Sequence, residues 1–189
     1  MLDKNDFIKI REDMHRLDAR REEIIQLSRE IITISKQIIY AVQRNDLKSA
    51  ASAIKGIRQK IAKLKKVNIA ADTNINSVAF QEYVEAIAFY EFVKNNRIPA
   101  REELGIGAED YLCGLCDLTG ELVRKAIFEA IHKKFDEAAK IKELVDEIYG
   151  EFLKLHLRNG ELRKKSDSIK WNLKKLEEVM YDVSMRGRN

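Results

Sequence analysis

Glu82 with Glu85, and Asp117 with Glu121, form two acidic pairs set in strongly apolar surroundings. Their spacings, i,i+3 and i,i+4, put each pair on one face of a helix. In FQEYVEAIAFYEF, at about 100° per residue, Phe80, Tyr83, Val84, Ile87 and Ala88 make one apolar face. Glu82 and Glu85 share the opposite face with Phe89 and Val93. The second segment, YLCGLCDLTGELVRKAIFEAI, is apolar almost all round. Its polar stripe holds Asp117, Glu121, Arg124 and Lys125 and is broken by Phe128. An all-round apolar helix is normally buried, and a buried carboxylate needs a cation, hydrogen bonds or a proton to offset its desolvation. Hard oxygen donors facing one another suit Mg²⁺ or Mn²⁺ rather than zinc. Salt bridges to Arg124, Lys125 or another helix would satisfy the same carboxylates without a metal.

The elements that must position these residues read as helices throughout. A first segment runs from about Lys4 to Asn45, and Ile24, Leu27, Ile31, Ile34, Ile38 and Val42 form a heptad-like seam along it. Asn45-Asp46 breaks it, with Asp46 as N-cap of a second helix to Val67. Asn68 to Ser77 reads as a polar connection, Asp72-Thr73 starting the third helix, which ends near Asn95-Asn96. Pro99 opens a short helical turn, and Gly105-Ile-Gly107 precedes the fourth long helix. A fifth spans about Phe135 to Leu155, Arg158-Asn159-Gly160 is a turn, and the last helix carries a second seam: Leu162, Ile169, Leu173, Leu176, Met180 and Val183. The expected fold is an all-α bundle of six to seven long, mostly antiparallel helices, with residues 1–189 as one domain. The two seams offer more apolar surface than one bundle needs, which points to a homo-oligomer.

Composition agrees: 45% hydrophobic and 35% charged residues with 8 Gly and one Pro favour amphipathic helices over sheets. The net charge of +4 is too small to demand a nucleic-acid partner. Its distribution says more. Between Leu47 and Ala71 stand Lys48, Lys55, Arg58, Lys60, Lys63, Lys65 and Lys66, with no acid among them. This is either a phosphate-facing surface or a solvated basic face. Lys60, Lys63 and Lys66, with Arg20 and Arg21 of the first segment, are the candidate nucleic-acid contacts.

Cys113 and Cys116 make a lone CxxC inside an apolar helix, with neither a second ligand pair nor a neighbouring strand, and read as core thiols. His15, His132 and His156 are scattered without ligand spacing. No Gly-rich phosphate loop or nucleophile elbow occurs. The chain shows no signal-peptide layout and no run long enough to span a bilayer, so the expectation is a cytoplasmic protein without a membrane partner.

Four stretches carry a family resemblance: REEIIQLSREIITISKQIIYAVQR, FQEYVEAIAF, DYLCGLCDLTGELVRKAI and LRKKSDSIKWNLKKLEEVMYDVSMRG. Over nearly its whole length the chain resembles the translin/Trax family. The middle two stretches are closer to the Trax branch, which carries the nuclease site, and the last is closer to the translin branch. The resemblance implies an endoribonuclease cleaving single-stranded RNA with Mg²⁺, Mn²⁺ being an alternative. Matched by motif, the metal-holding catalytic carboxylates become Glu82, Glu85 and Asp117, with Glu121 as a fourth catalytic residue. It also implies a hollow octamer enclosing nucleic acid, single-stranded DNA being a further ligand. The rival reading is a translin-like shell that binds single strands and cuts nothing. One departure is visible. Where translin has a basic, histidine-rich stretch before its third-helix motif, this chain reads Ala-Asp-Thr-Asn-Ile-Asn, so nucleic-acid contacts must come from elsewhere.

Overall fold

The computed structural model describes residues 2–67 and 74–186, in which every regular element is a helix. These are α1 (Lys4–Gln43), α2 (Leu47–Val67), α3 (Asn74–Asn95), α4 (Arg101–Leu104), α5 (Ala108–Ile131), α6 (Phe135–Leu153) and α7 (Glu161–Arg186). The all-α expectation holds. Local chemistry sets the boundaries. The Asp3 carboxylate accepts from the Asn5 and Asp6 N–H groups at the start of α1. That helix stops where Asn45 turns left-handed (φ 61°), a conformation asparagine tolerates better than most residues. Asp46 then caps α2 as expected, accepting the Ser49 N–H at 3.1 Å. The short helical turn opens two residues later than Pro99. Ala100 precedes it, its N–H donating to Glu103 at 2.8 Å, while the Pro99 carbonyl accepts the Tyr111 hydroxyl at 3.0 Å. The expected start of α3 at Asp72-Thr73 lies outside the described residues.

α3 is central, packed between α1 and α5; α2 covers α1, and α6 and α7 cover α5. One apolar cluster runs through all of them, from Ile24 to Leu176. This arrangement corrects the reading of the seams. Ile24, Leu27, Ile31, Ile38 and Val42 are buried within the chain, and so are Ile169, Leu173 and Leu176. Most of both seams is thus covered within the chain, with Ile34, Leu162, Met180 and Val183 half-buried. A continuous run of uncovered apolar side chains lies further towards the N-terminus. Residues 2–22 are exposed along their whole length, including Phe7, Ile10, Met14 and Leu17.

The α3–α5 crossing is tight at Gly114. A Cβ there would stand 2.7 Å from the Gln81 carbonyl oxygen and 2.7 Å from the Val84 Cβ. Backbone cannot rotate aside, so Gly114→Ala forces α3 and α5 apart. Overpacking of this kind costs about 1–3 kcal/mol, more than the helix propensity gained. The variant is expected to melt earlier in a circular-dichroism scan; an unchanged or raised midpoint would refute the close approach.

Candidate functional site

Gly114 matters because Asp117 is three residues beyond it and Glu82 follows Gln81. The same close crossing brings the two acidic pairs together. Both faces of α3 are covered between residues 79 and 90, so Glu82 and Glu85 do not look out onto solvent as an ordinary polar stripe would. Glu85 is 8% exposed. Burial pushes its carboxyl up to about 8, and the neighbouring Asp117, Glu82 and Glu121 carboxylates add to the rise. Glu82 is also raised, first by burial and then by Asp117 and Glu121, with Lys36 and Lys165 opposing. Among the described residues neither glutamate takes a hydrogen bond or an ion pair.

The other two carboxylates do have partners. Asp117 is ion-paired with Lys165 of α7, whose ammonium also donates to Gln81 Oε1 at 2.9 Å. Burial opposes the charge on Lys165, but Asp117 more than offsets it, so the ammonium is held above its ordinary pKa. Glu121 accepts from Gln43 Nε2 of α1 at 2.8 Å and from Arg124 Nη1 at 2.9 and 3.0 Å. Its backbone carbonyl takes the same Gln43 amide. Of the two cations named from sequence, Arg124 thus belongs to the cluster and Lys125 does not. Lys125 is 2% exposed and turned inward, paired with Glu129 at 3.0 Å and donating to Asn45 Oδ1 and the Val42 carbonyl. There it neutralises the C-terminal end of α1. Lys36, Gln43, Gln81 and Lys165 are the site residues that sequence reasoning missed.

Carboxylates without partners in the protein suit a hard divalent cation that displaces their protons, and Glu82 and Glu85 are such a pair. The set is not a closed cage, however. Among the described residues no three carboxylate, imidazole or thiolate groups converge as a metal-ion site, because Asp117 and Glu121 are drawn to their cations. The donors suit Mg²⁺ or Mn²⁺ in kind, and Asp117 would join Glu82 and Glu85 only by exchanging Lys165 for the ion.

The basic helix is less free than its sequence suggested. Lys60 pairs with Glu30 at 2.5 Å and Lys63 with Glu23 at 2.9 Å, both acids supplied by α1. Lys65 donates to the Leu104 carbonyl at 3.0 Å, while Lys66 is exposed. Arg20 and Arg21 are exposed on the uncovered half of α1, Arg21 lying 3.9 Å from Asp18. Cys113 and Cys116 are buried free thiols, pushed by burial up to about 11 and about 12, which leaves them unreactive. His132 closes α5, its Nδ1 2.8 Å from the Phe128 carbonyl. Among the described residues no helix is long and apolar enough to cross a membrane.

Fold and site together define an all-helical protein with an acidic centre gripped between two apolar helices and flanked by lysine and arginine. The profile of the Translin family matches residues 19–187, and the chain belongs to that family. It is 27% identical to mouse translin-associated protein X over 219 aligned positions, covering 90% of this chain and 76% of that protein. It is 38% identical to chicken translin over 94 residues, 49% of this chain but only 41% of translin. The solved structure of apo-NeC3PO superimposes with a TM-score of 0.87 at 33% identity, covering 97% of this chain and 98% of that one. AfC3PO, solved with duplex RNA, shares the fold with a TM-score of 0.88 at 22% identity.

Proposed function

We propose that the chain is a metal-dependent endoribonuclease that hydrolyses single-stranded RNA within a homo-oligomeric shell, an octamer by family resemblance. The observation that carries this reading is Glu85. It is a nearly buried carboxylate crowded by three others, without a donor among the described residues. Such a group is costly to keep unless something positive enters beside it. Glu82, Glu85 and Asp117 are the residues that would hold Mg²⁺ or Mn²⁺. When bound, the ion supplies a polarised phosphate and a water of lowered pKa. Glu121, held by Gln43 and Arg124, would orient the attacking water or accept its proton. Lys165, once released from Asp117, and Arg124 are the nearest cations for charge developing on the phosphate. The apolar flanks of α3 and α5 keep the centre in a low dielectric, where each of these interactions is stronger.

Purified protein is expected to cut end-labelled single-stranded RNA with Mg²⁺ and to leave it intact with EDTA. Asp117→Asn should slow cleavage by on the order of 100-fold or more, the scale seen when one preorganised electrostatic group is removed. Full activity in that variant would remove Asp117 from the mechanism. One observation favours a binding-only shell instead: Asp117 and Glu121 already have cationic partners. That reading requires RNA retained uncut, with the same affinity in Mg²⁺ and in EDTA.

A further inference from the structure

α2 was the expected nucleic-acid surface, yet its central lysines are neutralised by α1. The reverse holds on α7. Residues 163–175, RKKSDSIKWNLKK, carry six cations and one acid, and that acid, Asp167, lies 3.6 Å from Arg163. Lys165 reaches the acidic centre. Among the described residues Lys164, Lys170, Lys174 and Lys175 take no carboxylate partner. In their midst is Trp171, 66% exposed. At about 100° per residue, Lys164 (i−7), Lys174 (i+3) and Lys175 (i+4) surround it on the face opposite Ile169, Leu173 and Leu176, which bury against the bundle. Its ring is also unoccupied among the described residues. Tyr40, Tyr90 and Phe128 each carry a stacked cation, and Phe128 a histidine, but Trp171 has neither.

We infer that the outer face of α7 is a single-stranded RNA track, on which a base stacks against Trp171 while Lys164, Lys174 and Lys175 hold the flanking phosphates. An exposed indole ringed by unpaired lysines matches a single strand, whose bases offer ring faces and whose backbone offers one charge per nucleotide. A duplex keeps its bases stacked inside and offers the indole little. The track lies on the same helix as Lys165, which is six residues from Trp171, about 9 Å along the axis and turned about 120° towards the bundle. The inference rests on the RNA-binding reading above and adds where the strand lies.

Trp171 is the sole tryptophan, so its fluorescence reports on this face alone. The full-length protein would be titrated in EDTA, where nothing is cut, with dye-labelled single-stranded RNA, following dye anisotropy and tryptophan emission together. Emission should be quenched in step with anisotropy. Trp171→Ala should weaken binding about tenfold, within the range for one lost base–aromatic stack, and Trp171→Phe should restore most of it. The triple variant Lys164→Ala, Lys174→Ala, Lys175→Ala should flatten the dependence of log K on log salt by up to about 0.7 per lost phosphate contact. The matching α2 triple, Lys60→Ala, Lys63→Ala, Lys66→Ala, should flatten it less. Anisotropy that saturates while emission stays constant overturns the track, as does wild-type affinity in Trp171→Ala. Emission already shielded from iodide before RNA is added would also overturn it, showing this face to be taken by another copy. If wild-type protein gives no anisotropy change at all, the RNA-binding reading itself fails.

Discussion

Glu85→Gln is expected to abolish cleavage and, in metal-free protein, to raise stability at pH 8. The two effects share one cause. Folding moves the Glu85 carboxyl from an ordinary 4.5 up to about 8, because burial and the Asp117, Glu82 and Glu121 carboxylates disfavour its charge. Between those values the folded chain keeps a proton that the unfolded chain has lost. Where the folded state binds more protons, stability falls as pH rises, here by up to about 1.4 kcal/mol per pH unit. The contribution is whole below 4.5 and gone above 8. Glutamine has the same shape and never ionises, so the variant lacks this slope. Chemical denaturation in EDTA should give nearly coincident curves for the two proteins at pH 4.5. By pH 8 they should diverge by a few kcal/mol in favour of the variant. Adding Mg²⁺ or Mn²⁺ should narrow the gap, since an ion that binds only the folded wild type stabilises it by mass action. Parallel curves across this range would show that Glu85 is not forced into the company of the other three carboxylates.

What could be read from the sequence was whatever is local to one helix. The Glu82/Glu85 and Asp117/Glu121 pairs, the Asp46 cap and the break at Asn45 all follow from residue type and near-neighbour spacing. So does the burial of Cys113 and Cys116. What failed depended on partners distant in the chain. Lys165 is 48 residues from Asp117, and Gln43 is 78 from Glu121. No spacing rule connects them. The acid-free stretch of α2 looked unneutralised only because its acids, Glu23 and Glu30, belong to α1. α7 hid the opposite case. Its lysines have acids nearby in sequence, yet four of them are left without a carboxylate partner. Lys125, grouped with Arg124 by position, is instead consumed by Glu129 and the end of α1. The seams misled for a related reason. A 3–4 repeat shows that a stripe is covered but not by what, and α2 and α3 cover the Ile24–Val42 stripe within the chain.

That repeat also continues where nothing covers it. Phe7, Ile10, Met14 and Leu17 are spaced by three and four, and the next steps, through Arg21, reach Ile24 in the core. The buried stripe of α1 thus runs unbroken onto a projection of about 20 residues, some 30 Å long, exposed along its whole length among the described residues. An isolated helix of that length is marginal in water, and four aligned large apolar side chains on it form an exposed strip of the kind that marks an interface. The expectation is a homo-oligomer in which this strip is covered by another copy. Light scattering should give wild-type protein a mass several times the 21.9 kDa of one chain. Replacing Phe7, Met14 and Leu17 together with glutamate should return it to that of one chain. At about 2 kcal/mol per apolar side chain, the three lost contacts weaken association by on the order of 10⁴-fold per strip. The core should still unfold cooperatively, because none of the three residues contributes to it. A wild-type monomer at micromolar concentration would sink the shell and with it any selectivity for thin or terminal RNA segments that enclosure provides. An oligomer untouched by the triple variant would move the interface elsewhere. A dissociated variant that still cuts RNA, but no longer prefers such segments, would separate the two roles: chemistry within each chain, substrate choice in the assembly.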